Sequence, residues 1–264
     1  MNETSTFRSR VLAGERLVGT FIKTPADAPV EIIGGHGFDF VVIDAEHAPF
    51  DRGAIDRAIL VAHATGAAAL VRLHSATPPD ILSALDSGAD GLLVPHVASS
   101  ARARDIVRAC RYRNGSRGFS GSPRAGLYGR RALSDLVSFA DRNVTIVAQI
   151  EDPEALDVVD EIAAVDGIDA LFVGRGDLTV AMGATSGDAP EIVAASRRVA
   201  AAAQRARKPF SVFCANPRDG ANMAALGASL FIAASDQSFL SDAAKATLAA
   251  FRNFTPVQPA GPAL

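Results

Sequence analysis

The segment Val41-Val-Ile-Asp-Ala-Glu-His-Ala-Pro-Phe50 runs an apolar stretch directly into three ionisable side chains, Asp44, Glu46 and His47. Charge at the end of a buried segment is costly unless it is paired or put to use. The arrangement recurs. Arg72 follows Ala69-Leu-Val71, Gln149 and Glu151 finish the run from Val144, and Asp177 stands in Gly174-Arg-Gly-Asp177 after Ala170-Leu-Phe-Val173. Arg72 offers a planar donor fork matched to a carboxylate or a pair of oxo groups; the alternative is an ion pair with a neighbouring acid. His47 is a candidate general base, because free histidine titrates at about 6.5. Asp44 or Asp86 is placed to orient it, and Glu46 takes a supporting hydrogen-bond role. Glu151 and Asp177 offer two carboxylates with no cysteine beside them. That donor set suits a hard divalent cation, Mg²⁺ or Mn²⁺ first, with Co²⁺ a further option. The competing reading makes both acids helix N-caps, each worth roughly 0.5–2 kcal/mol.

These residues need a scaffold that gathers distant parts of the chain. Strands are predicted at Gly19–Ile22, Phe38–Ile43, Ala69–Leu73, Gly91–Pro95, Val144–Ile150, Ala170–Val173, Phe210–Phe213 and Leu230–Ala233. All are short apolar runs, as in strands covered on both faces. Amphipathic helices are predicted at Asp51–Thr65, Pro78–Ser87, Ser99–Cys110, Asp152–Val165, Ala189–Ala206 and Pro217–Leu226. Pro78-Pro79 and Asp152-Pro153 read as helix starts, and Gly88, Gly167 and Gly227 as left-handed helix ends. Alternation of this kind implies an α/β protein, a (β/α)₈ TIM barrel spanning 1–264 as one domain. No GxGxxG follows the first strand, which argues against a doubly wound sheet. A long loop is expected near 111–142, packed by Phe119, Leu127 and Tyr128 and serving the active site, and an irregular tail at 255–264. In such a barrel the strand ends share one mouth. His96 is placed at its edge and Lys23 at its rim, Cys214 is given a buried apolar role, and His36, His63 and His74 read as surface or loop residues.

Composition removes other classes of function. A net charge of -3 over 264 residues provides no field for nucleic acid. Arg102, Arg104, Arg108, Arg111 and Arg113 read as one solvated helix face. The two cysteines, Cys110 and Cys214, make no disulfide framework and suit the cytoplasm. No apolar run is long enough to cross a membrane. Partners are therefore expected to be small molecules.

The ordered set FDFVVIDAEHAP, LVRL, LDSGADGLLVPHV, RYRNGSRGFSG and AQIEDPEALDVVDEIAAVDGIDALFVGRGDL, within Leu17 to Asp236, resembles the class II pyruvate aldolases of the HpcH/HpaI family, the 4-hydroxy-2-oxoheptanedioate aldolases. The resemblance implies a (β/α)₈ barrel whose last helix is exchanged within a dimer, with dimers assembled into a hexamer. It implies that Glu151 and Asp177 hold the metal, Arg72 the keto acid and its enolate, and that His47 is the base. It implies that Asp86 reaches a neighbouring subunit's histidine, and that Gln149, Gly176 and Asp177 frame the keto acid. The implied reaction is reversible retro-aldol cleavage of a 4-hydroxy-2-oxo acid to pyruvate and an aldehyde. Oxaloacetate decarboxylation, CoA-ester cleavage and a non-catalytic keto-acid-binding barrel are the alternatives. Two departures stand out: Arg175-Gly176 replaces the family's Pro-Ala, and His96 falls where relatives often carry an apolar residue.

Overall fold

The structure, a computed structural model, describes residues 6–254. Eight parallel strands close a barrel in chain order. They are β1 (Leu17–Ile22), β2 (Phe40–Asp44), β3 (Ala68–Arg72), β4 (Gly91–Val94), β5 (Thr145–Ile150), β6 (Ala170–Val173), β7 (Phe210–Cys214) and β8 (Ala228–Ser235). Helix α1 (Phe7–Leu12) precedes β1; α2 (Asp27–Gly35), α3 (Arg52–Thr65), α4 (Pro78–Asp86) and α5 (Ser100–Cys110) follow the first four strands in turn. Helix α6 (Leu133–Asn143) leads into β5, and α7 (Pro153–Asp157) and α8 (Val159–Ala163) leave it. Helices α9 (Arg175–Ala181) and α10 (Pro190–Arg205) follow β6, α11 (Pro217–Ala224) follows β7, and α12 (Asp236–Asn253) follows β8.

The core divides by strand periodicity. Successive side chains of a strand point to opposite faces. Phe21, Phe40, Val42, Leu70, Leu93, Val147 and Phe172 fill the barrel, together with Phe7 and Val11 of α1. Val41, Ile43, Val71, Leu92, Ile146, Leu171 and Val212 face the helices. Helix α1 plugs the N-terminal end: Phe7 meets Phe40 with ring centroids 5.3 Å apart, and Arg8 Nη2 donates to the buried Asp169 at 2.7 Å.

All eight predicted strands form, and Gly88, Gly167 and Gly227 take φ of 95°, 93° and 94°. Three expectations are corrected. The single helix over Asp152–Val165 is two, because Val158 turns out of the helix at φ -115°, ψ 15°, beside a second β-branched residue. The loop near 111–142 gives way to α6, pinned by buried Leu136 and Ala140 one turn apart. Its remaining part lies on the helices rather than on the cleft described below: Arg124 pairs with Asp56 of α3 at 2.6 Å, and Arg117 with Asp86 of α4 at 3.0 Å. Phe119, Leu127 and Tyr128 are exposed there, yet Phe119 packs edge-on against Tyr112 with ring centroids 5.7 Å apart, and Arg124 lies over the Tyr128 ring. Gly174-Arg-Gly-Asp177 forms the N-cap and first turn of α9. The tail expected at 255–264 lies outside the described residues.

Candidate active site

Following the interior face of each strand past its last core residue leads to the polar side chains. Asp44 is two residues beyond Val42, Arg72 beyond Leu70, Gln149 beyond Val147 and Lys23 beyond Phe21. The same period carries Glu151 beyond Gln149 and Gly174 beyond Phe172. These positions crown the barrel at its C-terminal end, the end at which barrels of this kind build active sites. A cleft of about 1100 Å³ opens there, lined by Lys23, His47, Arg72, Gln149, Gly176 and Asp177 among others.

Strand register explains the strongest pair. Asp44 and Arg72 are direct partners across β2 and β3. Arg72 donates through Nε at 2.9 Å and Nη2 at 2.7 Å to the two oxygens of Asp44, which is fully buried. The Phe21 ring lies under the guanidinium, 4.5 Å from its centroid. Burial alone would raise Asp44, but Arg72's hydrogen bonds and charge hold it below the usual carboxylate range; the His47 N–H and Lys23 add to this. Lys23 Nζ stands 3.6 Å from Asp44. Asp44 therefore fixes Arg72, whereas the sequence offered it as a partner of the His47 ring. It accepts only the His47 backbone N–H, at 3.1 Å. The ring's Nε2 lies 3.6 Å from Glu46 Oε2 instead. Asp86 does not reach His47 within the chain. It ends α4 near the start of β4, at the opposite end of the barrel, and pairs with Arg117.

Glu151, 2% exposed, is the centre of an acidic cluster. Its Oε1 accepts the His96 N–H at 2.8 Å, and its Oε2 accepts from Gln149 Nε2. Burial chiefly, with the charges of Asp177 and Glu46, pushes its acid group up to about 7 despite the His96 contacts. Burial also raises Glu46, against Arg72 and the two histidines. Ligand atoms of Glu46, His96 and Glu151 all lie within 4.8 Å of one another. Gln149 Oε1 and Glu46 Oε2 are buried without a hydrogen-bond partner. Clustered carboxylates with spare oxygen acceptors fit a divalent cation. The sequence pairing of Glu151 with Asp177 finds one physical link, the charge of Asp177 acting on Glu151.

Several participants escaped the sequence. Asp152 was read as a helix cap, yet its side chain caps nothing and meets His96 Nδ1 at 3.1 Å. Glu46 was given only a supporting role. Gly174 is required by packing: a Cβ there would stand 2.5 Å from Glu151 Cβ and 2.9 Å from its Oε2. Arg175, one of the departures noted from the sequence, pairs with Asp219 at 2.5 Å and donates to the Phe213 carbonyl at 2.8 Å. Cys214 is buried as expected, and burial pushes its thiol up to about 11. Arg111, expected on a solvated face, is half-buried and caps the Val144 carbonyl at 3.2 Å.

Comparison with known proteins agrees with this geometry. The family model described as HpcH/HpaI aldolase/citrate lyase matches residues 17–243. A hydroxypyruvate/pyruvate aldolase of Roseovarius nubinhibens is 37% identical over 181 residues, 68% of this chain and 70% of that protein. A 5-keto-4-deoxy-D-glucarate aldolase of Klebsiella pneumoniae is 31% identical over 248 residues, covering 90% of this chain and 96% of that one. The crystal structure of an HpcH/HpaI family protein from Burkholderia cenocepacia superposes with a TM-score of 0.90 at 28% identity, over 95% of this chain and all of the other. With the barrel, the arginine locked on its aspartate and the acidic cluster at one mouth, the chain belongs to the HpcH/HpaI aldolase/citrate lyase family and is a carbon–carbon lyase of the divalent-metal-dependent kind.

Proposed function

We propose that this protein cleaves a 4-hydroxy-2-oxo acid reversibly to pyruvate and an aldehyde, with a divalent cation held by Glu151 and Asp177. The observation that carries the reading is the meeting of Arg72, immobilised on buried Asp44, with the acid cluster around Glu151 at the barrel mouth. The relative named for hydroxypyruvate and pyruvate supports pyruvate as the half that enolises. The cation, magnesium, manganese or cobalt, supplies Lewis-acid polarisation of the keto acid when bound.

The chain's own residues supply the rest. Two of the five guanidinium donors of Arg72 engage Asp44, which leaves donors for the substrate's carboxylate or keto oxygen. When C3–C4 breaks, the electron pair moves to that oxygen, and a fixed cation already faces it. Preorganised charge of this kind is usually the largest catalytic contribution. His47, on the cleft wall, takes the 4-hydroxyl proton as the aldehyde forms. A proton delivered to C3 then completes pyruvate. Asp44 is a positioning residue for Arg72. Gln149 and the backbone at Gly176 and Asp177 frame the keto acid.

The assembly belongs to the same proposal. Helix α12 lies outside the barrel, with Leu240, Leu248 and Phe251 exposed. Its exchange between two subunits would cover them, and dimers would build a hexamer in which Asp86 serves a neighbour's His47. Two buried free cysteines fit the reducing cytoplasm as its compartment.

Deuterium exchange into the methyl group of pyruvate tests the enolisation. Exchange should require the cation, stop with EDTA and be lost in Arg72→Ala. Full exchange after exhaustive chelation, or borohydride trapping of pyruvate on Lys23, overturns the proposal. A panel of aldehydes offered with pyruvate then identifies the second product.

A further inference from the structure

We propose that Lys23 is the acid that delivers the proton to C3 and so turns the enolate left by cleavage into pyruvate. The role rests on the reading above that Arg72 and a cation hold that enolate, and it supplies the proton source.

Chain geometry carries Lys23 to the reacting end of the cleft. It stands two residues beyond Phe21, on the interior face of β1, and the Phe21 ring underlies the Arg72 guanidinium at 4.5 Å. Lys23 Nζ lies 3.6 Å from Asp44 Oδ2, the oxygen that accepts from Arg72 Nη2 at 2.7 Å. The lysine therefore flanks the group that grips the keto acid. Its backbone is fixed from the last helix, where buried Asp236 accepts the Lys23 N–H at 2.8 Å. A separation of 3.6 Å is an attraction rather than a hydrogen bond, so the three N–H donors of the ammonium stay free to turn to a substrate. The side chain is 30% exposed, which lets water restore a proton once it is given up.

The other ionisable side chains on the cleft wall suit the step less well. Arginine keeps its proton at any working pH, which sets aside Arg72, Arg175 and Arg218. Asp177, Asp188 and Asp219 have no proton to give as ionised carboxylates. His47 is engaged with the 4-hydroxyl of the departing aldehyde. As the keto group re-forms at C2, the C2–C3 π pair takes a proton from Nζ, and the N–H bonding pair stays on nitrogen as a lone pair. Water then returns the amine to the ammonium form. In the reverse direction the neutral amine takes a methyl proton from pyruvate. No bond forms between Nζ and carbon, which separates this role from a Schiff base.

Methyl exchange of pyruvate in D₂O, with the full chain loaded with Mn²⁺, provides the test. Lys23→Met should lower the saturated exchange rate by about 10²–10⁴-fold, the range of general acid–base catalysis, with cation affinity and circular dichroism unchanged. Lys23→Arg keeps the charge and should be equally slow. Methylamine added to Lys23→Ala should restore exchange in proportion to its concentration, which a purely electrostatic role would not produce. Undiminished exchange in Lys23→Met, or wild-type exchange in Lys23→Arg, overturns the role of the lysine and leaves Arg72 and the cation in place. A wild type that exchanges no methyl deuterium removes both.

Discussion

At the scale of single residues, the pair Asp44–Arg72 combines stability with reactivity. Both side chains are buried, and each is the other's main partner. Removing one partner of a buried pair leaves an uncompensated charge, at a cost of about 3–5 kcal/mol. Asp44→Asn should therefore lower unfolding stability in denaturant by that order and reduce pyruvate methyl exchange together. Arg72→Lys keeps the charge but loses the fork, so it should retain little exchange. Gly174 offers a separate check. Gly174→Ala puts a methyl group into Glu151, whereas a Cβ at Gly176 meets nothing within 4 Å. Manganese titration should show weaker binding in the first variant and near-wild-type binding in Gly176→Ala. Equal affinity in both would remove the packing argument for Glu151.

At the scale of elements, strand register and helix termini place these residues. Direct pairing of β2 with β3 puts Asp44 beside Arg72, and the closing barrel brings β5 and β6 to the same mouth. The opposite end does structural work. There His63, at the surface as expected, stands in the last turn of α3 and bonds Asp90 through Nε2 at 2.7 Å. Asp90 also accepts the Ala69 N–H at 2.8 Å, so the pair joins α3 to β3 and the start of β4. The hydrogen bond to Asp90 chiefly raises the His63 pKa, against burial and the charge of Arg124. A raised folded-state value stabilises the fold fully below the unfolded value of about 6.5, and the gain disappears as pH rises through the folded value. The stability gap between wild type and His63→Gln should thus be wider near pH 5.5 than near pH 9. Methyl exchange should be unaffected, since His63 stands at the far end of the barrel.

At the scale of the whole molecule, the barrel is closed but its last helix is not covered. From Phe239 onward nearly all of α12 is exposed, including Leu240 at 73% and Phe251 at 70%. Its first turn is anchored: Asp236 accepts the N–H groups of Lys23 and Thr24 at 2.8 and 2.9 Å. An apolar stripe of this kind on a firmly attached helix is what the proposed exchange between subunits would cover. Leu240→Glu combined with Phe251→Glu should move the protein to smaller species in sedimentation velocity, with the barrel's circular dichroism retained. If Asp86 serves a neighbour's site, the same variant should lose aldol cleavage while keeping cation binding. Unchanged sedimentation would count against α12 as the contact. Among the described residues no helix is long and apolar enough to cross a membrane.

The sequence by itself determined the eight strands, their parallel closure and the identity of most residues at the mouth. Apolar runs bounded by glycine, proline and aspartate are local signals, and a period of two assigns each polar residue to a face once its strand is located. It could not assign partners. Asp44 went to Arg72 rather than to His47 because strand register, set by contacts across the whole barrel, made those two neighbours. Asp152 left its expected cap because the left-handed turn at His96 brought a ring to it from another strand. Helix α6 was hidden because two buried contacts, Leu136 and Ala140, hold a segment whose flanks read as loop. Tertiary structure decided these points because hydrogen bonds and charges act over a few ångströms, while their partners lie tens of residues apart along the chain.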